Sequence, residues 1–135
     1  MKPARIVLVE DNPGDVYLVE LAMKEYGIDY LLTRYQTGDE AVKILCREGT
    51  ESDTAAPDAI LLDLNTPCSD GFEVLLKLKQ SPRLAGVPMA VISSSRAMSD
   101  KRRTALQCTR YIEKPSQLAE FLSTVGLAIK EMLQT

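Results

Sequence analysis

Short apolar runs alternate along the chain with longer stretches in which apolar residues recur at helical spacing. Five of the short runs are mostly apolar, often β-branched and bounded by polar residues, proline or glycine, which is typical of β-strands. These predicted strands cover 5–9, 30–35, 59–63, 89–93 and 110–113. The third run, AILLD, is apolar at consecutive positions, which indicates a central parallel strand buried on both faces.

Helical patterns follow each predicted strand. Asp15 can cap a first helix that runs to about Tyr26, where Gly27 ends it. Further helices are predicted over 39–47, 71–80, 99–107 and 116–133. The segment 99–107 is basic and poor in apolar residues, so its boundaries are the least defined. The last helix has the clearest apolar stripe, formed by Leu118, Phe121, Leu122, Val125 and Ile129.

Five alternations of strand and helix predict one α/β domain over residues 1–135. Such an alternation indicates a parallel sheet covered by helices on both faces, and right-handed crossovers then make a doubly wound domain. A chain of this length can bury one core without disulfides or a structural metal. The last predicted helix ends close to Thr135, so we expect no attached output domain.

Composition removes several functional classes. The net charge is −3, which offers no overall positive bias for nucleic acid. The chain contains no histidine, which excludes histidine-based triads and histidine metal ligands. Cys46, Cys68 and Cys108 form no CxxC pair, and reduced thiols in a cytoplasmic protein are the simpler interpretation. The apolar run after Arg5 is too short for a signal peptide or a membrane span.

Chemically active side chains follow four of the predicted strands. Glu10 and Asp11 come after the first strand, and Asp63 is the last residue of the third. Ser93 ends the fourth strand and Lys114 follows the fifth. Each residue alone is compatible with a helix cap, a strand end or a turn. Because the carboxyl ends of parallel strands share one edge of a sheet, we expect these five to converge on one site.

Three carboxylates in a partly dry cleft repel one another, so either one takes up a proton or a cation neutralises them. Oxygen ligands with room for water suit Mg²⁺. A carboxylate beside a metal can act as a nucleophile and form an acyl phosphate. A lysine and a metal can then neutralise the charge of the transferring phosphoryl group.

Five short stretches carry a resemblance to a known family. They read VLVEDN at 7–12, LLDLNTP at 61–67, DGFEVL at 70–75, VISS at 91–94 and YIEKP at 111–115. As a set they resemble the receiver domain of bacterial response regulators, over nearly the whole chain. The resemblance implies a flavodoxin-like, doubly wound fold with strand order 2-1-3-4-5.

The resemblance also implies a role for each matching residue. Asp63 is in the position of the phosphoacceptor for a histidine kinase, and Lys114 is in the position of the lysine that pairs with the phosphoryl oxygens. Glu10, Asp11 and Asp63 match the acids that bind Mg²⁺, with the backbone carbonyl of Asn65 as a further ligand.

Two further positions match the family's switch. Ser93 is in the position of the hydroxyl that closes on the phosphoryl group, and Tyr111 is in the position of the aromatic ring that turns inward with it. Phosphorylation is thereby expected to change docking or dimerisation. The resemblance also implies a cis bond between Lys114 and Pro115, which aims the lysine.

The segment EDNPGDV at 10–16, followed by Tyr17 and Leu18, resembles a narrower group of single-domain regulators that are paired with phytochromes. This implies a light-sensing histidine kinase as the partner. Kinase identity, downstream target and phosphoryl lifetime stay open at this point.

Other functions fit the residues less well. An aspartyl phosphatase has a second acid two residues after its nucleophile, and here that position is Asn65. A P-loop enzyme is excluded because GxxxxGK[ST] is absent. A phosphorelay intermediate, or a receiver-fold scaffold with little phosphorylation, remains an alternative. A receiver catalyses its own phosphorylation but acts on no outside substrate, so we expect a switch and not an enzyme.

A basic surface is predicted beside the fourth helix. It contains Arg96, Lys101, Arg102, Arg103 and Arg110. This surface is either a solvated face or a contact with a partner, and a homodimer through the fourth helix, fifth strand and fifth helix is one form of that contact.

Overall fold

The computed structural model describes residues 2–46, 56–64, 71–93 and 110–134. Its strands are β1 (Ala4–Val9), β2 (Tyr30–Tyr35), β3 (Ala59–Asp63), β4 (Met89–Ser93) and β5 (Arg110–Glu113). Its helices are α1 (Pro13–Glu25), α2 (Gly38–Leu45), α3 (Gly71–Gln80) and α4 (Leu118–Leu133), with a 3₁₀ turn at Pro82–Leu84. The helix predicted over 99–107 lies outside the described residues.

The five strands form one sheet in the order β2-β1-β3-β4-β5, and every neighbouring pair is parallel. The predicted fold class and strand order are confirmed. All five residues of β3 are buried, as its continuous apolar sequence predicts for a central strand. β2 lies at an edge and alternates between partly buried and exposed residues, because only one of its faces is well covered.

Apolar side chains fill two cores, one on each face of the sheet. Ile6, Leu8 and Leu61 point to the face covered by α1 and α4. Val7 and Leu62 point to the other face, which α2 and α3 cover. Successive strand residues point to opposite faces, so each strand supplies both cores. The expectation of helices on both faces is confirmed.

Helix α1 begins earlier than predicted. Asn12 caps it, with its side-chain oxygen accepting the N–H of Gly14 at 2.8 Å, and Pro13 occupies the first helical position. Proline is favoured there because that N–H needs no partner within the helix. The interpretation of Asp15 as the cap is therefore wrong, and Asp15 lies in the first turn. Gly27, at φ +67°, ends the helix as predicted.

The C-terminal helix α4 differs from prediction at its start. It begins at Leu118, two residues later than expected, and Leu118 is exposed. Phe121, Val125 and Ile129 are buried as the apolar stripe predicts. The predicted apolar stripe therefore begins one position too early, at a residue that is exposed in the first turn of α4.

Candidate functional site

The predicted site residues gather at the carboxyl edge of the sheet. Asp63 and Ser93 are the last residues of β3 and β4, while Lys114 follows β5 directly. Glu10 and Asp11 follow β1, which lies between β2 and β3. Because the chain leaves β1 toward one side and β3 toward the other, the loops diverge and leave a crevice at this point.

Three carboxylates come close enough to hold one cation. Oxygen atoms of Glu10, Asp11 and Asp63 all lie within 4.8 Å of one another. Glu10 and Asp63 are buried, at 3% exposure each, whereas Asp11 is exposed. Two acids of the cluster therefore lie in the interior, and the third, Asp11, is in contact with solvent.

The Lys114 ammonium lies among the acids. Its Nζ donates to Asp15 Oδ2 at 2.8 Å, to Asp63 Oδ2 at 3.0 Å and to Glu10 Oε1 at 3.1 Å. The Lys114 side chain is only 15% exposed. Charge-assisted hydrogen bonds of this length are stronger than neutral ones. Because these groups are partly buried, dissolved salt screens their attraction less than it screens surface ion pairs.

The site perturbs two proton affinities. The pKa of Glu10 is raised to about 7, first by burial and then by the hydrogen bond and charge of Asp63, while Lys114 acts in the opposite direction. Burial lowers the pKa of Lys114, but its bonds to Asp15 and Asp63 and the charge of Glu10 outweigh burial and raise it. At neutral pH Lys114 is charged, and a pKa of about 7 leaves the Glu10 carboxyl protonated part of the time. The sequence left two ways to relieve the repulsion among the acids, uptake of a proton and binding of a cation. This geometry is compatible with both.

The loop that carries the acids is held from β2. Arg34 Nε donates to the carbonyl of Glu10 and its Nη2 to the carbonyl of Asp11, both at 2.9 Å. The N–H of Glu10 donates to the carbonyl of Tyr35 at 3.0 Å. The planar guanidinium thus fixes two successive peptide units at the site. Sequence reasoning missed Arg34, since a single arginine in an edge strand carries no signal of such a contact.

The two predicted switch residues lie on neighbouring strands. Ser93 is buried, and its carbonyl accepts the N–H of Lys114 at 2.8 Å, which joins the ends of β4 and β5. Tyr111 is half-buried and packs against the core beneath α2 and α3. Val91 is its register partner on β4. Asn65 lies outside the described residues.

Asp15 is a site residue that the sequence interpretation assigned to another role. Its carboxylate forms the shortest of the three ion pairs of Lys114, and the Asp15 side chain is 26% exposed. The available signal was an acid in the first turn of a helix that begins at the site edge. The bond between Lys114 and Pro115 is trans, and the expectation of a cis bond is wrong. The lysine reaches the acids with the lower-energy isomer.

The arrangement suits phosphoryl chemistry. A buried carboxylate, Asp63, has an ammonium on one side and two further acids on the other. Oxygen-only ligands and an excess of negative charge fit a divalent cation of the Mg²⁺ type. No helix within the described ranges is long and apolar enough to cross a lipid bilayer.

Comparison with known proteins gives one consistent relationship. A family model described as the response regulator receiver domain matches residues 6–126. Response regulator Rcp1 of Synechocystis sp. is 35% identical over 124 residues, which are 91% of this chain and 84% of Rcp1. The structure of its Mn²⁺-bound form superposes with a TM-score of 0.82, covering 98% of this chain and 96% of that one.

Two further solved structures are similar. The phosphorylated cyanobacterial phytochrome response regulator RcpA has a TM-score of 0.83 at 33% identity, over 99% of this chain and 96% of its own. The receiver domain of sensor histidine kinase PA1611 from Pseudomonas aeruginosa, with a magnesium ion in its active-site cleft, has a TM-score of 0.70 at 25% identity, over 99% and 100%.

Proposed function

Because the chain belongs to the response regulator receiver domain family, we propose that it accepts a phosphoryl group from a histidine kinase onto Asp63. Members of this family are signalling proteins of two-component systems. The observation that carries the proposal is the position of Asp63. It is a buried carboxylate at the end of the central strand, bonded to Lys114 at 3.0 Å and within 4.8 Å of two other acids.

The transfer exchanges one bond for another. A carboxylate oxygen of Asp63 forms the new O–P bond as the N–P bond of a phosphohistidine breaks, and the released imidazole takes up a proton. The Lys114 ammonium, which already bonds to Asp63, moves its N–H to an oxygen of the arriving phosphoryl group. Its positive charge offsets the charge that would otherwise collect in a partly buried cleft.

A divalent cation belongs in this proposal, and Mg²⁺ is our choice. Glu10, Asp11 and Asp63 would hold it, with the Asn65 carbonyl as a ligand outside the described residues. Rcp1 with Mn²⁺ and the PA1611 receiver domain with Mg²⁺ support the assignment. When bound, the ion supplies positive charge to the phosphoryl oxygens and relieves the repulsion among the acids.

Ser93 and Tyr111 are our proposed switch. Ser93 lies at the β4 side of the site. Its carbonyl accepts the backbone N–H of Lys114. Tyr111 lies two residues before Glu113 at the end of β5, half-buried. A hydroxyl drawn toward a phosphoryl group alters the space beside β5, so the ring of Tyr111 has two positions whose populations phosphorylation changes.

The partner we propose is a histidine kinase of the phytochrome type, supported by the similarity to RcpA and Rcp1. A cleft of about 260 Å³ borders Lys114 and has Leu18, Leu118 and Phe121 in its wall. Leu118 in this wall is 53% exposed. This apolar rim would receive the helix that carries the phosphohistidine. A homodimer through β5 and α4 remains a second proposal for the phosphorylated state.

Phosphorylation by a small donor tests the central claim. Wild-type protein, incubated with Mg²⁺ and acetyl phosphate, should gain the mass of one phosphoryl group. Asp63→Asn should gain none, whereas Asp29→Asn, which changes an exposed acid at the opposite edge of the sheet, should behave like wild type. A phosphoryl group retained by Asp63→Asn would remove Asp63 from its role.

The partner is tested separately. A phytochrome-type kinase, autophosphorylated with labelled ATP, should transfer its label to the wild-type chain within minutes. Transfer from an unrelated kinase at an equal rate would contradict the proposed partner. It would not affect the role of Asp63, which the acetyl phosphate experiment tests.

A further inference from the structure

Asp15 differs from the other acids around Lys114 in where it comes from. Glu10 and Asp63 follow strands, whereas Asp15 lies in the first turn of α1. Its Oδ2 is 2.8 Å from Lys114 Nζ, nearer than either of the other partners. Asp15 is not a member of the carboxylate cluster that could hold a cation, as far as the described residues show.

Local geometry leaves the Asp15 side chain available for this contact. An acid at the third helical position often reaches back to the N–H of the capping residue. Here the N–H of Asn12 is bonded by Glu10 Oε2 at 3.3 Å instead. The Asp15 carboxylate accepts instead from an ammonium that is 99 residues further along the chain.

The lysine has no N–H left over. An ammonium offers three donors, and Glu10, Asp15 and Asp63 accept one each. Any new acceptor must replace one of these three. The arrival of a phosphoryl group is such an event.

Two of the three partners change during the proposed reaction. Glu10 and Asp63 would share their charge with a cation, and Asp63 becomes an acyl phosphate that accepts hydrogen bonds poorly. A cation held by these acids also repels the ammonium. Of the three present partners of Lys114, only Asp15 keeps a full negative charge that is not shared with a cation. Without Asp15, the electrostatic attraction that holds the Lys114 ammonium at the mouth of the cleft is weaker.

We infer that Asp15 is a positioning residue, which retains the Lys114 ammonium at the site while the cation and the phosphoryl group enter. The inference rests on the proposed transfer to Asp63. It assigns Asp15 no contact with the phosphoryl group. Its effect passes through the lysine alone.

Substitution of Asp15 tests this role. With Mg²⁺ and acetyl phosphate, Asp15→Asn should be phosphorylated about three- to tenfold more slowly than wild type, the range expected when a charge-assisted bond to a partly exposed group becomes a neutral one. Asp15→Glu keeps the charge and should recover part of the rate. Glu120→Gln is the matched control, because Glu120 holds the same third position in α4 and is exposed.

A second measurement follows the lysine itself. In a ¹⁵N-edited spectrum with Mg²⁺ present, the hydrogen-bonded ammonium of Lys114 should give a signal in wild type and in Glu120→Gln. In Asp15→Asn that signal should weaken or vanish, because the released ammonium exchanges its protons with water. A general loss of structure would not confine the change to one lysine.

Three results would overturn the inference. One is an unchanged rate in Asp15→Asn, and another is an unchanged Lys114 signal. The third is a loss of Mg²⁺ affinity as large as in Asp11→Asn, which would make Asp15 a metal ligand. Failure of the wild type to take up phosphate would instead reject the proposed function, and the role of Asp15 in the reaction with it.

Discussion

The guanidinium of Arg34 holds the main chain of Glu10 from the neighbouring strand, with Nε donating to the Glu10 carbonyl at 2.9 Å. The same group bonds the next carbonyl, that of Asp11, at an equal distance. Two hydrogen bonds from one side chain thus hold the main chain of the loop that carries both acids. An arginine fork bonds two successive carbonyls in one plane, which the point-like ammonium of lysine cannot reproduce.

Arg34→Lys should therefore weaken the site without changing its net charge. We expect divalent-cation affinity to fall about threefold and the free energy of unfolding to fall by about 1 kcal/mol, the typical net value of a hydrogen bond. Mn²⁺ titration and urea unfolding measure the two effects. Arg5→Lys, an exposed arginine of β1, is the control. Equal cation affinity in Arg34→Lys and wild type would show that the backbone clamp is not needed.

Gly71 packs against the residue that follows Asp63. A methyl group at Gly71 would lie 2.7 Å from Leu64 Cα and 2.9 Å from the Leu64 carbonyl oxygen. These are backbone atoms, so the strain cannot be relieved by turning a side chain. Gly71→Ala should lower the free energy of unfolding by about 1–3 kcal/mol, as overpacking does, despite alanine's better helix propensity.

Thermal or urea unfolding checks the effect of Gly71→Ala. Gly14→Ala is a comparison in the first turn of α1, where the added methyl meets only the Asn12 side chain, at 3.2 Å. Its effect should be smaller. A Gly71→Ala protein more stable than wild type would mean that α3 can move away from β3 freely.

Tyr30 should titrate unusually late. Its hydroxyl donates to Glu20 Oε1 at 2.9 Å, and burial together with the bond and charge of Glu20 raises the pKa of Tyr30 from 10.0 to about 12. A phenol with a raised pKa binds its proton more tightly in the folded chain. Its contribution to stability is complete below pH 10 and disappears as the pH rises toward 12.

An ultraviolet titration of tyrosinate measures this shift. Glu20→Gln should bring the pKa of Tyr30 closer to 10 and flatten the loss of stability between pH 10 and pH 12. Tyr30→Phe should remove one late-ionising group from the curve. Identical late phases in wild type and Tyr30→Phe would reject the assignment.

Lys114→Met should tighten cation binding while slowing phosphorylation. The substitution removes a positive charge that lies within 3.1 Å of two of the proposed ligands. Loss of that repulsion should strengthen Mg²⁺ binding by about tenfold. NMR shifts near Asp11 and Asp63 follow the titration, since the chain has no tryptophan. Lys24→Met, on the exposed face of α1, should leave the affinity unchanged, and a weaker site in Lys114→Met would be the contrary result.

Much of the fold could be predicted because single strands carry clear patterns. The continuous apolar run of β3 indicates burial on both faces, and all five of its residues are buried. Acids and a lysine at the ends of strands could be placed together because parallel strands end at one edge. The meeting of Lys114 with Glu10 and Asp63 is the outcome of that rule.

Side-chain choices within a turn were harder to predict. Asn12 and Asp15 are both good capping residues, and only the proline after Asn12 favours the earlier one. The partner of Asp15 lies on the opposite end of the chain, where no local pattern refers to it. Leu118 has the spacing of a core residue, yet it is exposed in the first turn of α4, and spacing alone does not distinguish it from the buried residues of the stripe.

The contacts of Lys114 have a consequence for how the chain acquires its activity. Its ammonium joins residues that are 51, 99 and 104 positions away in sequence. Contacts of such long range form late, because chain entropy opposes them until the intervening elements are in place. A chain emerging from the ribosome has its acids well before β5 is made and docked. In the newborn protein the acids therefore lack their lysine partner until the last strand has joined the sheet.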